Sequence, residues 1–317
     1  MNVTLRQLRV FQSVAETRNF SRTGERIGLT QPAVSRAIVE LESGLGVRLL
    51  DRTTREVLLT EAGRSLASRL ERALDELDGV LSEVAGLADA DGGKVRVASA
   101  PTLSAYLMPA CIATCAREAP RVRFMLVDDS QRDVLQSVRD GEVDFGVVVE
   151  PLSLEGLHYE SILRDPFVLI APPGHELLRS RSVPWRALDG CSLVLLDANS
   201  GSRRYIDAAL ARHRATCTVA QQLSHITTVF RMIEAGIGLS VMPALSVPVT
   251  GLPGLEVRPL RPRLERTVML VRRANRALSP VAERVWNLVS ATVRARSAGV
   301  LNRPGIAGGL QVRARPT

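Results

Sequence analysis

The sequence predicts an α/β protein in three successive parts: an N-terminal winged helix-turn-helix, a long linker helix, and a C-terminal region of two α/β lobes. Three observations carry that prediction. Residues 21–50 read as two helices joined by a tight turn at Gly28. Residues 60–87 place apolar side chains at heptad spacing. From Lys94 onward short apolar strands alternate with helical stretches, the pattern of a sheet with helices on its faces.

Taken in order, Thr4 is placed to cap a first helix with Leu5, Leu8, Phe11 and Ala15 on its inner face. Ser21 is expected to cap the next helix, and Gly28 to end it in the left-handed conformation. Thr30 then caps a third helix, with Pro32 in its first turn, where a missing N–H costs little. Val34, Ile38, Leu41 and Leu45 form its apolar stripe. The opposite face holds Gln31, Pro32, Ser35, Arg36 and Val39. Such a face suits a DNA major groove, because Gln bonds adenine edges, Arg bonds guanine, and Ser reaches a base or a phosphate. The alternative is the solvated face of an ordinary helical hairpin. Residues 48–60 read as a short β-hairpin with Arg52, Thr53, Thr54 and Arg55 at its tip. It is either a wing whose arginines enter a minor groove or a solvated turn. The candidate DNA-binding set is therefore Thr30, Gln31, Pro32, Ser35, Arg36, Arg52, Thr53 and Arg55.

In the long helix, Leu66, Ala73, Val80 and Leu87 share one heptad position, and Leu70, Leu77 and Val84 the other. A helix of this length needs a partner along it, and a second copy of the chain is the simplest one. The other possibility is a lone amphipathic helix lying on its own domain. Residues 88–93, ADADGG, read as a flexible linker. Beyond it, strands are expected at 94–98, 122–127, 144–149, 192–197 and 268–271. Two more lie in FVLIA and GIGLSVMP. Helices are expected at 103–117, 130–140, 203–212, 226–235 and 279–295.

At 317 residues with 45% hydrophobic composition, the chain can fill several cores. It has no long uncharged apolar run and no basic-then-apolar start, so neither a membrane span nor a secretory signal is expected. The expected location is the cytoplasm. Net charge is +8, which fits nucleic-acid binding, although five arginines of that balance lie beyond residue 293 in a stretch with no acids. Cys111 and Cys115 are one helical turn apart with no histidine close to them, and all four cysteines, with Cys191 and Cys217, read as core residues, with no metal or other cofactor expected.

The segments LRQLRVFQSVAE, NFSRTGERIGLTQPAVSRAIVELESGLGVRLLDRT and LTEAGRSL, in that order, resemble the DNA-binding domain of the LysR-type transcriptional regulators. One departure is Thr23–Gly24, where the family usually has two alanines. A mid-helix glycine costs about 1 kcal/mol against alanine. The remainder, to about residue 295, resembles that family's effector-binding region, which has the type 2 periplasmic-binding-protein fold. The resemblance implies a winged helix-turn-helix over 1–60, a dimerising linker helix and hinge over 61–93, and an effector-binding domain over 94–296. Within that domain, lobe one comprises 94–165 and 267–296, and lobe two 166–266. Residues 297–317 match nothing in the family and are expected to be disordered. The implied partners are an interrupted palindromic DNA operator, a small-molecule effector, a second copy of the chain in a dimer or tetramer, and RNA polymerase.

Ligands of doubly wound sheets bind at the C-terminal ends of strands, near helix N-termini. Loops of that kind hold Ala100 and Thr102, Ser130, Ser200 and Gly201, and His225 and Thr227. By position Thr102 and Ser130 match pocket residues of the family. Hydroxyls and open N–H groups there favour an anion such as a carboxylate, and Arg203 is placed to add charge. Each hydroxyl residue has the alternative role of a helix cap, and His225 that of a surface residue. Two other functions are conceivable, an enzyme or a solute-binding domain fused to a DNA-binding domain. The chain has neither G-x-G-x-x-G after a strand nor G-x-S-x-G, which counts against an enzyme.

Overall fold

The computed structural model describes residues 3–52, 57–84, 92–248 and 254–301. The chain divides into two units, Met1–Asp89 and Ala90–Thr317.

The first unit begins with α1 (Leu5–Thr17), α2 (Phe20–Ile27) and α3 (Gln31–Leu45). Thr4 caps α1 in a reciprocal box: its hydroxyl accepts from the Gln7 amide, and the Gln7 side chain accepts from the Thr4 amide at 2.8 Å. The buried face of α1 is Val10, Phe11 and Val14, while Leu5, expected inside, is exposed. The cap of α2 is Asn19, whose side-chain Oδ1 accepts from the Arg22 amide at 3.0 Å. Ser21, expected as the cap, lies inside the helix. Gly28 ends α2 at φ 69°. Thr30 occupies the cap position of α3 without making a side-chain bond there. Val34, Ile38 and Leu41 are fully buried. The Glu42 carboxylate accepts from the amides of Leu49 and Leu50, which fixes the entry to the hairpin.

That hairpin is β1 (Leu50–Arg52) and β2 (Val57–Leu59), antiparallel, with Leu50 opposite Leu59. α4 (Glu61–Val84) follows. Leu70 and Leu74 are buried in the core of this unit, and Leu66 and Ala67 pack against it. Ala73 is exposed, Leu77 half-buried and Leu81 exposed. The start of the expected seam is therefore spent on the unit's own core, because the 3.6-residue period aligns Leu66, Leu70 and Leu74. Leu87 lies outside the described residues.

The second unit comprises β3 (Gly92–Ser99), α5 (Pro101–Tyr106), α6 (Met108–Glu118), β4 (Arg121–Asp128), α7 (Gln131–Asp140), β5 (Phe145–Val149), β6 (Leu157–Ala171), β7 (Val183–Pro184) and β8 (Ser192–Leu196). It continues with α8 (Arg203–Arg212), β9 (Thr218–Leu223), α9 (Ile226–Glu234), β10 (Ser240–Pro243), β11 (Glu256–Arg261), β12 (Glu265–Arg273) and α10 (Pro280–Leu301). The helix expected over 103–117 is two helices. Pro109 has no N–H to give the preceding turn, so α6 restarts with the proline in its first turn. α10 runs to Leu301, past the expected end at 295.

The main sheet has the order β4-β3-β5-β12-β6-β11-β7, with β10 also on β6. β3 is parallel to β4 and β5, as the alternation implied, but β12 runs antiparallel to both β5 and β6. β6 serves both lobes: residues 157–166 pair with β12, and residues 167–171 pair with β10 and β11. Cys111, Cys115, Phe145 and Trp286 belong to the lobe-one core; Trp185, Leu193 and Ile206 belong to that of lobe two.

Candidate functional site

On the first unit the candidate surface is one face of α3. Thr30, Gln31, Pro32, Arg36 and Val39 are exposed and Ser35 is half-buried. Residues 31–39 contain no acid. The nearest one, Glu40, accepts a hydrogen bond from the Gln7 side chain at 3.1 Å. The Thr30 hydroxyl is not spent on capping, so the face presents donors, one guanidinium and the positive end of a helix. Exposed Val39 adds an apolar patch of the sort that meets a thymine methyl. Arg52 ends β1 on the hairpin, whereas Thr53 and Arg55 lie outside the described residues.

In the second unit the structure separates residues that look alike in sequence. Ser130 is a cap: its hydroxyl accepts from the Asp133 amide at 3.2 Å and donates to the Asp133 carboxylate at 2.5 Å. That hydroxyl holds the Asp133 carboxyl below the usual carboxylate range. A carboxylate in this place repels an anion, so Ser130 is not free to hold one as expected. Thr102 behaves differently. The cap of α5 is Ala100, which has no side-chain oxygen, and half-buried Thr102 makes no capping bond.

The loop before α8 is built on Asp197, whose side chain accepts from the Asn199 amide and whose carbonyl accepts from the Ser200 amide. The Ser200 hydroxyl accepts from the Ser202 amide at 3.3 Å. Gly201 meets Gln131 at the start of α7. A Cβ on Gly201 would fall 2.1 Å from the Gln131 Oε1, which itself accepts from the Val149 amide. The loop of lobe two and the helix start of lobe one are thus brought together. His225 caps α9 by position without a side-chain bond, and His225 and Thr227 are both exposed. Arg203 is committed to Asp207 at 2.9 Å and to the Leu196 carbonyl, so it does not supply the free charge expected of it.

Sequence reasoning missed the buried polar groups behind this loop. Asp165 and Arg266 are 0% and 2% exposed and 2.8 Å apart. The Arg266 Nη1 donates to the Ser202 hydroxyl at 2.6 Å. Arg204 donates to the Glu150 carbonyl and lies 4.7 Å from the Tyr205 ring centroid. The Asp165–Pro166 pair marked the start of lobe two in the sequence, but nothing there matched Asp165 to a residue 101 positions away.

The geometry agrees with comparisons to known proteins. Residues 5–64 match the model of the bacterial regulatory helix-turn-helix proteins of the lysR family, and residues 88–294 match the LysR substrate binding domain. YfeR of Shigella flexneri, an uncharacterized HTH-type transcriptional regulator, is 49% identical over 299 residues, covering 94% of this chain and 97% of its own. A probable hydrogen peroxide-inducible genes activator of Mycobacterium leprae (strain TN) is 31% identical over 255 residues, 78% of this chain and 79% of that protein. Among solved structures, a cysteine mutant of Corynebacterium glutamicum OxyR superposes with a TM-score of 0.69 at 25% identity, covering 95% of each chain. Full-length CbnR in complex with its target DNA has the same fold, with a TM-score of 0.55 at 22% identity over 92% of this chain and all of that one.

Proposed function

Because the chain belongs to the LysR family of bacterial transcriptional regulators, we propose that its first unit reads a palindromic operator and that its second unit switches that reading through a small anion. It is a DNA-binding regulator with an effector-binding domain. On this reading Gln31, Ser35 and Arg36 contact base edges, and Thr30, Pro32 and the wing residues Arg52, Thr53 and Arg55 fit the surrounding backbone and minor groove. The acid-free, exposed face of α3 supports it.

The effector, a carboxylate, lies in the cleft between the lobes. Thr102 and the backbone N–H groups near Ala100, Ser200, Gly201, His225 and Thr227 hold it, and Ser130 contributes by fixing α7. The observation that carries this is the half-buried Thr102, set at a helix start but spared from capping it. Two chains pair through α4, pairs assemble into tetramers, and RNA polymerase is the downstream partner. The protein acts in the cytoplasm and catalyses no reaction. Among the described residues no helix is long and apolar enough to cross a membrane.

The relatives named as hydrogen peroxide-inducible activators suggest a second reading, thiol sensing. The thiols speak against it. Cys111 and Cys115 are core residues, and burial pushes Cys191 up and Cys217 up to about 11. Reactive cysteines have lowered values.

The test is a thermal-shift screen with small carboxylates, with and without operator DNA, followed by a promoter reporter. Thr102→Val is expected to lose the response to the stabilising acid while keeping operator affinity in a gel shift. A normal response in Thr102→Val overturns the assigned pocket.

A further inference from the structure

Asp165 and Arg266 face each other in the β6–β12 ladder at the point where β6 leaves β12 for the strands of lobe two. Burial of two charges is tolerated only with close geometry and additional hydrogen bonds. Those bonds reach in several directions here. The Asp165 Oδ1 accepts from the Leu245 amide at 2.9 Å, and the Leu245 side chain belongs to the lobe-one core. The Arg266 Nε donates to the Asp165 Oδ2, and its Nη1 donates to the Ser202 hydroxyl. The Nη2 stands 2.8 Å from the same carboxylate oxygen but makes no well-directed hydrogen bond.

Ser202 is the unusual member. It stands at the start of α8, where a serine hydroxyl ordinarily accepts from the helix's own amides. Its side chain makes no such bond. The oxygen is turned to Arg266 instead, while the Ser202 amide donates back to Ser200 in the loop that meets Gln131. One residue therefore joins the 197–202 loop to the charged pair on β6 and β12, the two strands at which the chain crosses between the lobes.

We propose that Ser202 is a positioning residue that couples the 197–202 loop to the two crossover strands through Arg266. A shift of the loop then changes the angle between the lobes. The role in regulation rests on the cleft being the ligand site, but the coupling itself is present without ligand and is tested without it.

The test is amide hydrogen exchange read by mass spectrometry on the full chain, comparing wild type, Ser202→Ala and Ser202→Thr. Ser202→Ala removes the acceptor for Nη1. It is expected to speed exchange several-fold in peptides covering 163–168, 243–248 and 264–268, as well as in 199–206. Ser202→Thr retains a hydroxyl and is expected to return the crossover peptides to wild-type rates. A rise confined to 199–206 overturns the coupling, as does an equal rise at the crossovers in both variants. Failure here leaves the Thr102 experiment unaffected, so the two readings fall separately.

Discussion

At Gly63 the backbone of α4 approaches the Leu49 carbonyl so closely that a Cβ would fall 2.0 Å from its oxygen. Backbone cannot swing aside as a flexible side chain does. Gly63→Ala is expected to lower stability by roughly 1–3 kcal/mol, as overpacking does, and urea denaturation measures it. Gly24 meets the Leu29 carbonyl in the same way, at 2.4 Å. What reads in sequence as a helix penalty is thus also a fit to the turn that sets α3 against α2. Arg36 is exposed on α3 and belongs to a different kind of prediction. Arg36→Ala should weaken cognate-site binding by about 1–3 kcal/mol and leave random DNA nearly unchanged, as loss of a base contact does. Equal losses on both DNAs would identify a phosphate contact. At Cys217, burial keeps the thiol protonated until the pH approaches about 11, so alkylation by iodoacetamide at neutral pH should be slow and should accelerate as pH rises. Rapid labelling of Cys217 at neutral pH contradicts that.

α4 changes duty along its length. Leu70 and Leu74 are held by α1 and its neighbours, while Leu77 and Leu81 are turned progressively to solvent. Two substitutions on this helix should therefore fail differently. Leu70→Ala is expected to cost roughly 2–5 kcal/mol of fold stability, as core truncations do. Leu77→Arg should leave the first unit folded but place a charge in the proposed pairing seam, so sedimentation should show loss of the dimer if α4 pairs the chains. A dimer that survives Leu77→Arg removes α4 as the pairing element. The heptad pattern announced this helix clearly in the sequence. It did not show that Leu70 and Leu74 pack into the first unit's own core, because an a/d stripe looks the same whether its partner is another chain or the helix's own domain. Similarly, the cap of α1 and the cap position of α3 were legible, although Thr30 makes no side-chain bond there, and the cap of α2 was misplaced by two residues, since Asn19 and Ser21 are both good acceptors and only the chain's path selects one.

For the molecule as a whole, α8 and α9 stand where their patterns placed them. β7, β9 and β11 were not legible: β9 is largely exposed, and β11 carries Pro259 within it. Neither shows the apolar alternation by which strands are recognised. In the second unit, Thr102 and Ser130 were indistinguishable as hydroxyls at helix starts, and what separates them is Asp133, three residues beyond Ser130. The Asp165–Arg266 pair was invisible because its members meet only after the sheet is assembled.

β12 stands between β5 and β6 in the sheet, yet it begins more than ninety residues after either of those strands ends. During synthesis, which proceeds from the N-terminus, β5 and the first half of β6 must wait with unsatisfied edges while all of lobe two emerges. An exposed strand edge invites pairing with other chains. The nested order of the strands therefore exposes the nascent chain to aggregation at one definable interval, between release of residue 171 and release of residue 273.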